Sequence, residues 1–390
     1  MDLENGISSR RNFLRTGSLL AGGLALGLSP VSYGRVLGAN QRLRVGILGM
    51  GKWAQQALVP TLRSLSSSAN LEVFGFADIW ERNRTLGEQQ FGLKSFSTPE
   101  ALLEQKDLDA VLIATPDFQH GNQTLLALDA GKHVYLEPPL APNLTEAHLI
   151  RDRVRAGKRV FQFGTCQRSA ETLRQRGPEF YRGLDLVEVL HFEQRGDGWR
   201  RIQETARFQS ETFNWSAYFQ PSGSNDPVAR HFTEFRNYPD FSKGMVDHCL
   251  LPALDRFLFF TRLQDVSHIS ASSGLHQFND GRQNPDALTA YLRFVAPEKE
   301  KGNREIAFLF QGRLGIGSVS RENYHFSQGV QSFSGRQPEA GLALHLRNWI
   351  DSIRGQAKPV SDVESAFVLS EILDRVYRES VSYATSPVLA

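Results

Sequence analysis

Sulfur and net charge are the two things this chain has least of. There are two cysteines, Cys166 and Cys249, in 390 residues. That excludes a disulfide scaffold, and no cysteine or histidine spacing reads as a metal site. The expectation is two separate buried thiols packed as small hydrophobes. The formal net charge is only +2, from 44 basic and 42 acidic residues. No basic stripe interleaved with aromatics is present, so no nucleic-acid partner is expected. Beyond the first thirty residues no apolar run is long enough to span a bilayer. Repeats and low-complexity segments are also missing. What remains is ordinary globular composition, 41% hydrophobic, in a length that suits two domains.

The first residues read differently. Ser8-Ser9-Arg10-Arg11-Asn12-Phe13-Leu14-Arg15 precedes an apolar, Gly/Ala/Leu-rich stretch from Thr16 to Leu28. A charged region before a short apolar one is a targeting signal, and paired arginines followed by Phe-Leu resemble a twin-arginine signal. Ser32-Tyr33-Gly34 offers small residues at a cleavage site, with Gly38-Ala39 as the alternative. The expected organisation is a leader over 1–39, a dinucleotide-binding domain over 40–164 and a substrate and oligomerisation domain over 165–390. The expected location is periplasmic or otherwise exported, with membrane contact only through an uncleaved leader. Twin-arginine export carries folded proteins, so a cofactor would travel with the chain and stay tightly bound.

Leu43 to Leu48 is an apolar run that reads as a buried strand. It enters Gly49-Met50-Gly51-Lys52-Trp53-Ala54 and then a helical pattern with Ala57, Leu58 and Leu62. This is G-x-G-x-x-A between a strand and a helix. Gly49 allows the tight turn, Gly51 the approach of a pyrophosphate, and Ala54 close helix packing. The helix N-terminus favours the phosphates. A second strand, Leu71 to Ala77, ends in Asp78, placed to meet the adenosine ribose hydroxyls and to favour NAD over NADP. Arg82 and Arg84 soften that preference and keep NADP open. Ala110 to Ala114 is a third strand, ending in Thr115-Pro116-Asp117 and then His120. His133 to Leu136 ends in Glu137-Pro138-Pro139, and Arg159 to Phe163 follows. Strands alternating with helices specify a doubly wound parallel sheet, with ligands at the carboxyl ends of its strands. Gly49–Ala54, Asp78, Thr115–His120 and Glu137–Pro139 therefore converge on one crevice.

After Gly164 the texture changes. Leu184 to Gln194 alternates, and further strands are expected over 266–273, 289–296, 304–311 and 315–321, without helices between them. That predicts an α+β domain with an open, mostly antiparallel sheet. Residues 196–243 are irregular and aromatic-rich. A helix is expected over 244–260, an amphipathic one after Pro338, and a last one over 361–383.

Together these residues resemble the Gfo/Idh/MocA family, on Gly49–Ala54, Ala77-Asp78, Ile113-Ala114-Thr115-Pro116 with His120, Gly131–Glu137, and Leu346–Ile350. The resemblance spans roughly 43–385. It implies a Rossmann domain, a C-terminal sheet that mediates homo-oligomers, and NAD(P)-dependent oxidation or reduction of a sugar or polyol. It implies cofactor contacts from Gly49, Gly51, Lys52, Trp53, Ala54, Asp78, Thr115, Pro116, His120 and Glu137. Two departures stand out. The family's Glu-Lys-Pro is Glu137-Pro138-Pro139 here, so the lysine is replaced by a residue with no titratable group. The family's acid/base His falls on Leu251 or Pro252. The catalytic candidates left are Asp247, His248 and His120, with Tyr218 and His231 nearby; Asp247 could equally cap its helix. The alternatives are a transient use of the cofactor to modify a glycoside, or binding of nucleotide and sugar without catalysis.

Overall fold

The computed structural model describes residues 42–171, 183–193, 199, 213–215, 229–298, 302–315, 319–334 and 341–384. The leader, Tyr218 and Pro338 lie outside them. Residues Leu43–Ala390 form one compact unit.

The first sheet has six parallel strands: β1 (Leu43–Leu48), β2 (Leu71–Ala77), β3 (Lys94–Phe96), β4 (Ala110–Ile113), β5 (His133–Leu136) and β6 (Phe161–Phe163), in the order β3-β2-β1-β4-β5-β6. β1, β4, β5 and β6 are buried nearly throughout, as strands covered on both faces require, whereas β2 is half-buried over Glu72–Phe74 and the edge strand β3 has no buried residue. β1 lies where the strand order reverses, which is where such folds bind ligands. Register brings the carboxyl ends level. Leu48 pairs with Ala77 and Ile113, Ile113 with Leu136, and Leu136 with Phe163. The residues just beyond these ends therefore share one edge of the sheet: Gly49, Asp78, Thr115, Glu137 and Gly164.

The second sheet also has six strands: β7 (Leu184–Glu193), β8 (Val266–Gly274), β9 (Ala287–Glu298), β10 (Gly302–Leu314), β11 (Val319–Phe326) and β12 (Gly329–Ser334). Their order is β12-β11-β7-β10-β9-β8. All pairs are antiparallel except β7 with β10. On β7, Val187, Val189 and His191 are buried, while Leu186, Leu190 and Phe192 on the opposite face are half-exposed. One face is thus covered and the other open. The expected strand at 315–321 lies at Val319–Phe326, and β12 was not anticipated. Its polar sequence, Gly-Val-Gln-Ser-Phe-Ser, gives a sheet edge no alternation to read.

The two sheets lie on either side of Gly164 in the chain, but they share a core. Helix α1 (Val59–Leu65) of the first domain packs with helix α2 (Leu342–Ile353), whose Leu346, Trp349 and Ile350 join Val45, Ile47 and Tyr135 in one apolar cluster. A buried ion pair fixes the junction. Arg168 Nε lies 3.0 Å from Asp255 Oδ2, with both side chains almost fully enclosed. Cys166 and Cys249 are buried and form no disulfide.

His345 stitches α2 to this junction. Its Nε2 lies 2.8 Å from the Phe163 carbonyl oxygen and its Nδ1 2.9 Å from Ser169 Oγ. Burial, assisted by nearby Arg168 and opposed by the Phe163 hydrogen bond, lowers its pKa to about 4. The native state therefore holds His345 neutral, while an unfolded histidine takes a proton near pH 6.5. Its contribution is complete above that pH and falls as pH drops towards 4, by roughly 3 kcal/mol in all. Urea unfolding at pH 7 and pH 4.5 should show this acid loss in the native protein and a smaller loss in His345→Gln; equal losses would contradict it.

Candidate functional site

The turn Gly49–Ala54 builds the phosphate end of the crevice. Gly49 has φ +90°, and a Cβ there would meet the Ala114 carbonyl oxygen at 2.7 Å. No side chain but hydrogen fits. A Cβ on Gly51 would meet nothing within 4 Å. That glycine faces open space, as a cradle for a ligand does. Lys52 is exposed, Trp53 half-buried and Ala54 buried where the helix starts. The helix opens with a π-turn over Ala54–Leu58, and the Gln55 side chain donates back to the Met50 carbonyl at 2.8 Å.

Asp78 ties this loop to β2. Its Oδ2 accepts the Met50 N–H at 2.8 Å and the Asn83 amide at 3.0 Å, and its Oδ1 accepts the Trp80 N–H at 2.8 Å. Burial raises its pKa against these hydrogen bonds. A carboxylate offers about four acceptor positions, so one remains for a ribose hydroxyl. Arg84 donates to the Asp78 carbonyl and Arg82 lies over the Trp80 ring. Both arginines are engaged locally, which favours NAD over a 2′-phosphorylated cofactor. Phe213 and Asn214 dock here. Phe213 stacks on Trp80 with ring centroids 5.3 Å apart, and the Asn214 N–H donates to the Ile79 carbonyl.

Glu137 stands at the end of β5. Its Oε1 is buried without a hydrogen bond among the described residues, as is the Trp53 indole N–H. Burial pushes the Glu137 carboxyl up to about 8, eased slightly by the neighbouring Trp53. Two of the buried polar atoms left without a hydrogen bond among the described residues thus flank the glycine cradle. The open Gly51 position, the spare Asp78 acceptor and these two orphaned atoms together fit a dinucleotide.

His120 serves the scaffold. Its ring nitrogens lie 2.7 Å from the Pro139 carbonyl oxygen and 2.9 Å from the Thr115 carbonyl oxygen, bracing the β4 and β5 loops. Thr115 donates to Gln123 at 2.9 Å. Pro116 precedes the 3-10 turn Asp117–Gln119, and Pro138-Pro139 is a cis peptide.

The catalytic candidates meet in a second turn. Val246–Leu250 is a π-turn leading into helix α3 (Leu251–Thr261). His248 Nε2 lies 2.7 Å from Asp117 Oδ2, which also accepts the Ser242 hydroxyl at 2.6 Å. Burial alone would raise the Asp117 pKa; the charge and hydrogen bond of His248, with Arg236 and His120 beyond, outweigh it and hold the carboxyl below its ordinary value. Asn284 fixes the approach by donating to the carbonyls of Arg236 and Ser242. Asp247 is buried beside the Lys243–Asp374 ion pair and accepts the Lys243 N–H at 3.3 Å. Burial raises it to about 7, with Lys243 opposing and Asp117 and Asp374 adding to the rise. Leu251 is core, and neither it nor Pro252 carries an acid/base group. His231 packs between Tyr238 and Phe241.

Asp117 is the functional candidate that sequence reasoning named only as part of a segment. Its partner lies 131 residues away. The available signal was a carboxylate directly beyond a β-strand end that faces a crevice.

Residues 43–165 match the Gfo/Idh/MocA oxidoreductase family with its NAD-binding Rossmann fold. These residues form an NAD-binding Rossmann domain. The chain is 30% identical over 154 residues to inositol 2-dehydrogenase 4 of Saccharopolyspora erythraea, covering 39% of this chain and 42% of that protein. It is 33% identical over 109 residues to glucose-6-phosphate 3-dehydrogenase of Bacillus subtilis, covering 28% and 29%. The chain thus matches less than half the length of these relatives. In fold the likeness runs further. The WlbA dehydrogenase of Bordetella pertussis, solved with NADH and UDP-GlcNAcA, superposes with a TM-score of 0.69 at 16% identity, over 88% of this chain and 98% of that one. GenD2 of gentamicin A biosynthesis, solved with NAD, gives 0.68 at 13% identity, over 88% and 95%.

The two glycines of this Rossmann domain should separate folding from cofactor binding. Gly51→Ala should leave the melting temperature within a degree or two and weaken NAD at least tenfold in calorimetric titration. Gly49→Ala should lower the melting temperature itself. Full NAD affinity in Gly51→Ala would contradict the cradle.

Proposed function

We propose that this chain is an NAD-dependent oxidoreductase acting on a sugar or polyol, with His248 handling the proton. The 2.7 Å contact between His248 and Asp117 carries this reading. Bound NAD supplies the hydride acceptor. Asp117, held ionised by its partners, fixes the His248 ring with Nε2–H towards it. The second ring nitrogen then takes the substrate hydroxyl proton, and the Asp117 charge stabilises the imidazolium. Ser242 keeps the carboxylate in place. This arrangement supplies a base where Pro138 and Leu251 leave the family's usual positions without one. Asp247, next to it, holds the turn through Lys243. The matched dehydrogenases of inositol and glucose 6-phosphate support a carbohydrate substrate.

The paired arginines of the leader support export in the folded state with the cofactor held tightly. The half-exposed Leu186, Leu190 and Phe192 on the open sheet face support a homo-oligomer formed there. A second reading, nucleotide and sugar binding without turnover, rests on the loss of polar groups at Pro138 and Leu251. It predicts that no sugar reduces the cofactor.

A panel of sugars and polyols, followed at the reduced-nicotinamide absorbance, separates the two. Turnover should appear with at least one substrate. His248→Ala should then lower kcat by about 10²- to 10⁴-fold, the usual worth of a positioned base, with NAD affinity unchanged. Asp117→Asn should lower kcat in the same direction. Full activity in His248→Ala would overturn the assignment.

A further inference from the structure

We infer that the chain carries a zinc site formed by His191, Glu193 and Cys249. His191 and Glu193 are two apart on β7, so both side chains point to the same face of the sheet. That is the covered face, against which the π-turn of Val246–Leu250 packs. Cys249 comes from this turn. One donor atom from each residue lies within 4.8 Å of the other two. His191 and Cys249 are buried, whereas the Glu193 side chain is 29% exposed.

The spacing of His191 and Glu193 fits a shared ion, with the Cys249 thiol, within 4.8 Å of both, drawing in on binding. His191 Nε2 lies 3.4 Å from Glu193 Oε2. That is loose for a charge-assisted N–H···O contact, which shortens to about 2.8 Å. Two ligands each about 2.0–2.1 Å from a tetrahedral zinc are about 3.3–3.4 Å apart. The donor set of one imidazole, one carboxylate and one thiol suits zinc, which accepts all three. A thiolate and a carboxylate would together neutralise the ion in a mostly enclosed site. Three protein ligands leave one position for water, and the exposed side of Glu193 is where it would enter.

Such an ion has a positioning role. It joins the end of β7 to the π-turn that carries His248, one residue before Cys249. π-turns of this kind recur at functional sites. The metal is invisible to spacing rules because its donors sit on distant stretches of the chain.

The test uses the untagged, full-length protein grown with added zinc and measured by elemental analysis. About one zinc per chain is expected, falling below a tenth in His191→Ala. Replacement by cobalt should give a near-ultraviolet thiolate-to-cobalt absorption that is lost in Cys249→Ser. If Cys249→Ser does not fold, the wild-type cobalt spectrum decides alone: tetrahedral cobalt bands without a thiolate transition would overturn the assignment of Cys249. Folded, NAD-binding protein that contains no zinc and takes up none in a micromolar titration would overturn the site, without touching the oxidoreductase reading.

Discussion

A carboxylate buried at the carboxyl end of β4 needs donors around it, and the way Asp117 finds them shapes the rest of the site. Its desolvation is offset by the His248 imidazole and the Ser242 hydroxyl, both supplied from the far half of the chain. Removing either would leave a buried charge short of partners, the costly direction for any buried ion. Satisfying Asp117 therefore draws the 236–244 segment and its π-turn over the edge of the parallel sheet. One electrostatic requirement thus brings a histidine to the carboxyl edge of the parallel sheet.

The polar groups around the crevice divide by what satisfies them. His120, Asn284 and Arg168 have their bonding filled largely within the protein, and they hold loops in place. Glu137 and Trp53 do not, and they flank the glycine with open space beside it. Bracing groups and receiving groups are thus distinct, which is what a preorganised binding site requires. His120 belongs among the braces, although its residue type alone suggested acid/base work.

The first sheet was legible in the sequence because its strands are short, continuously apolar and followed by residues with special backbone or charge requirements. Leu43–Leu48 into Gly49 and Leu71–Ala77 into Asp78 are the clearest cases. β3 and β12 were not, since three residues in one and a polar edge in the other leave no periodicity. The return of Leu346 and Trp349 to the first domain's core could not be read from spacing, because an amphipathic helix does not say which sheet it covers. The same holds for the site. Gly49, Gly51, Asp78 and Glu137 are announced by local motifs, and His248 by its residue type. Its partner Asp117 is set by tertiary packing across 131 residues, and nothing local marks the pair.

The central claim is that His248, oriented by Asp117, receives the substrate proton at the carboxyl edge of the NAD-binding sheet. A crystal structure of the protein with NAD and a turned-over polyol bound tests this most directly. The account predicts the reacting hydroxyl within about 2.6–3.2 Å of the His248 ring nitrogen that faces away from Asp117, with the Asp117 contact intact. A hydroxyl bonded to another side chain, with His248 out of reach, would contradict it.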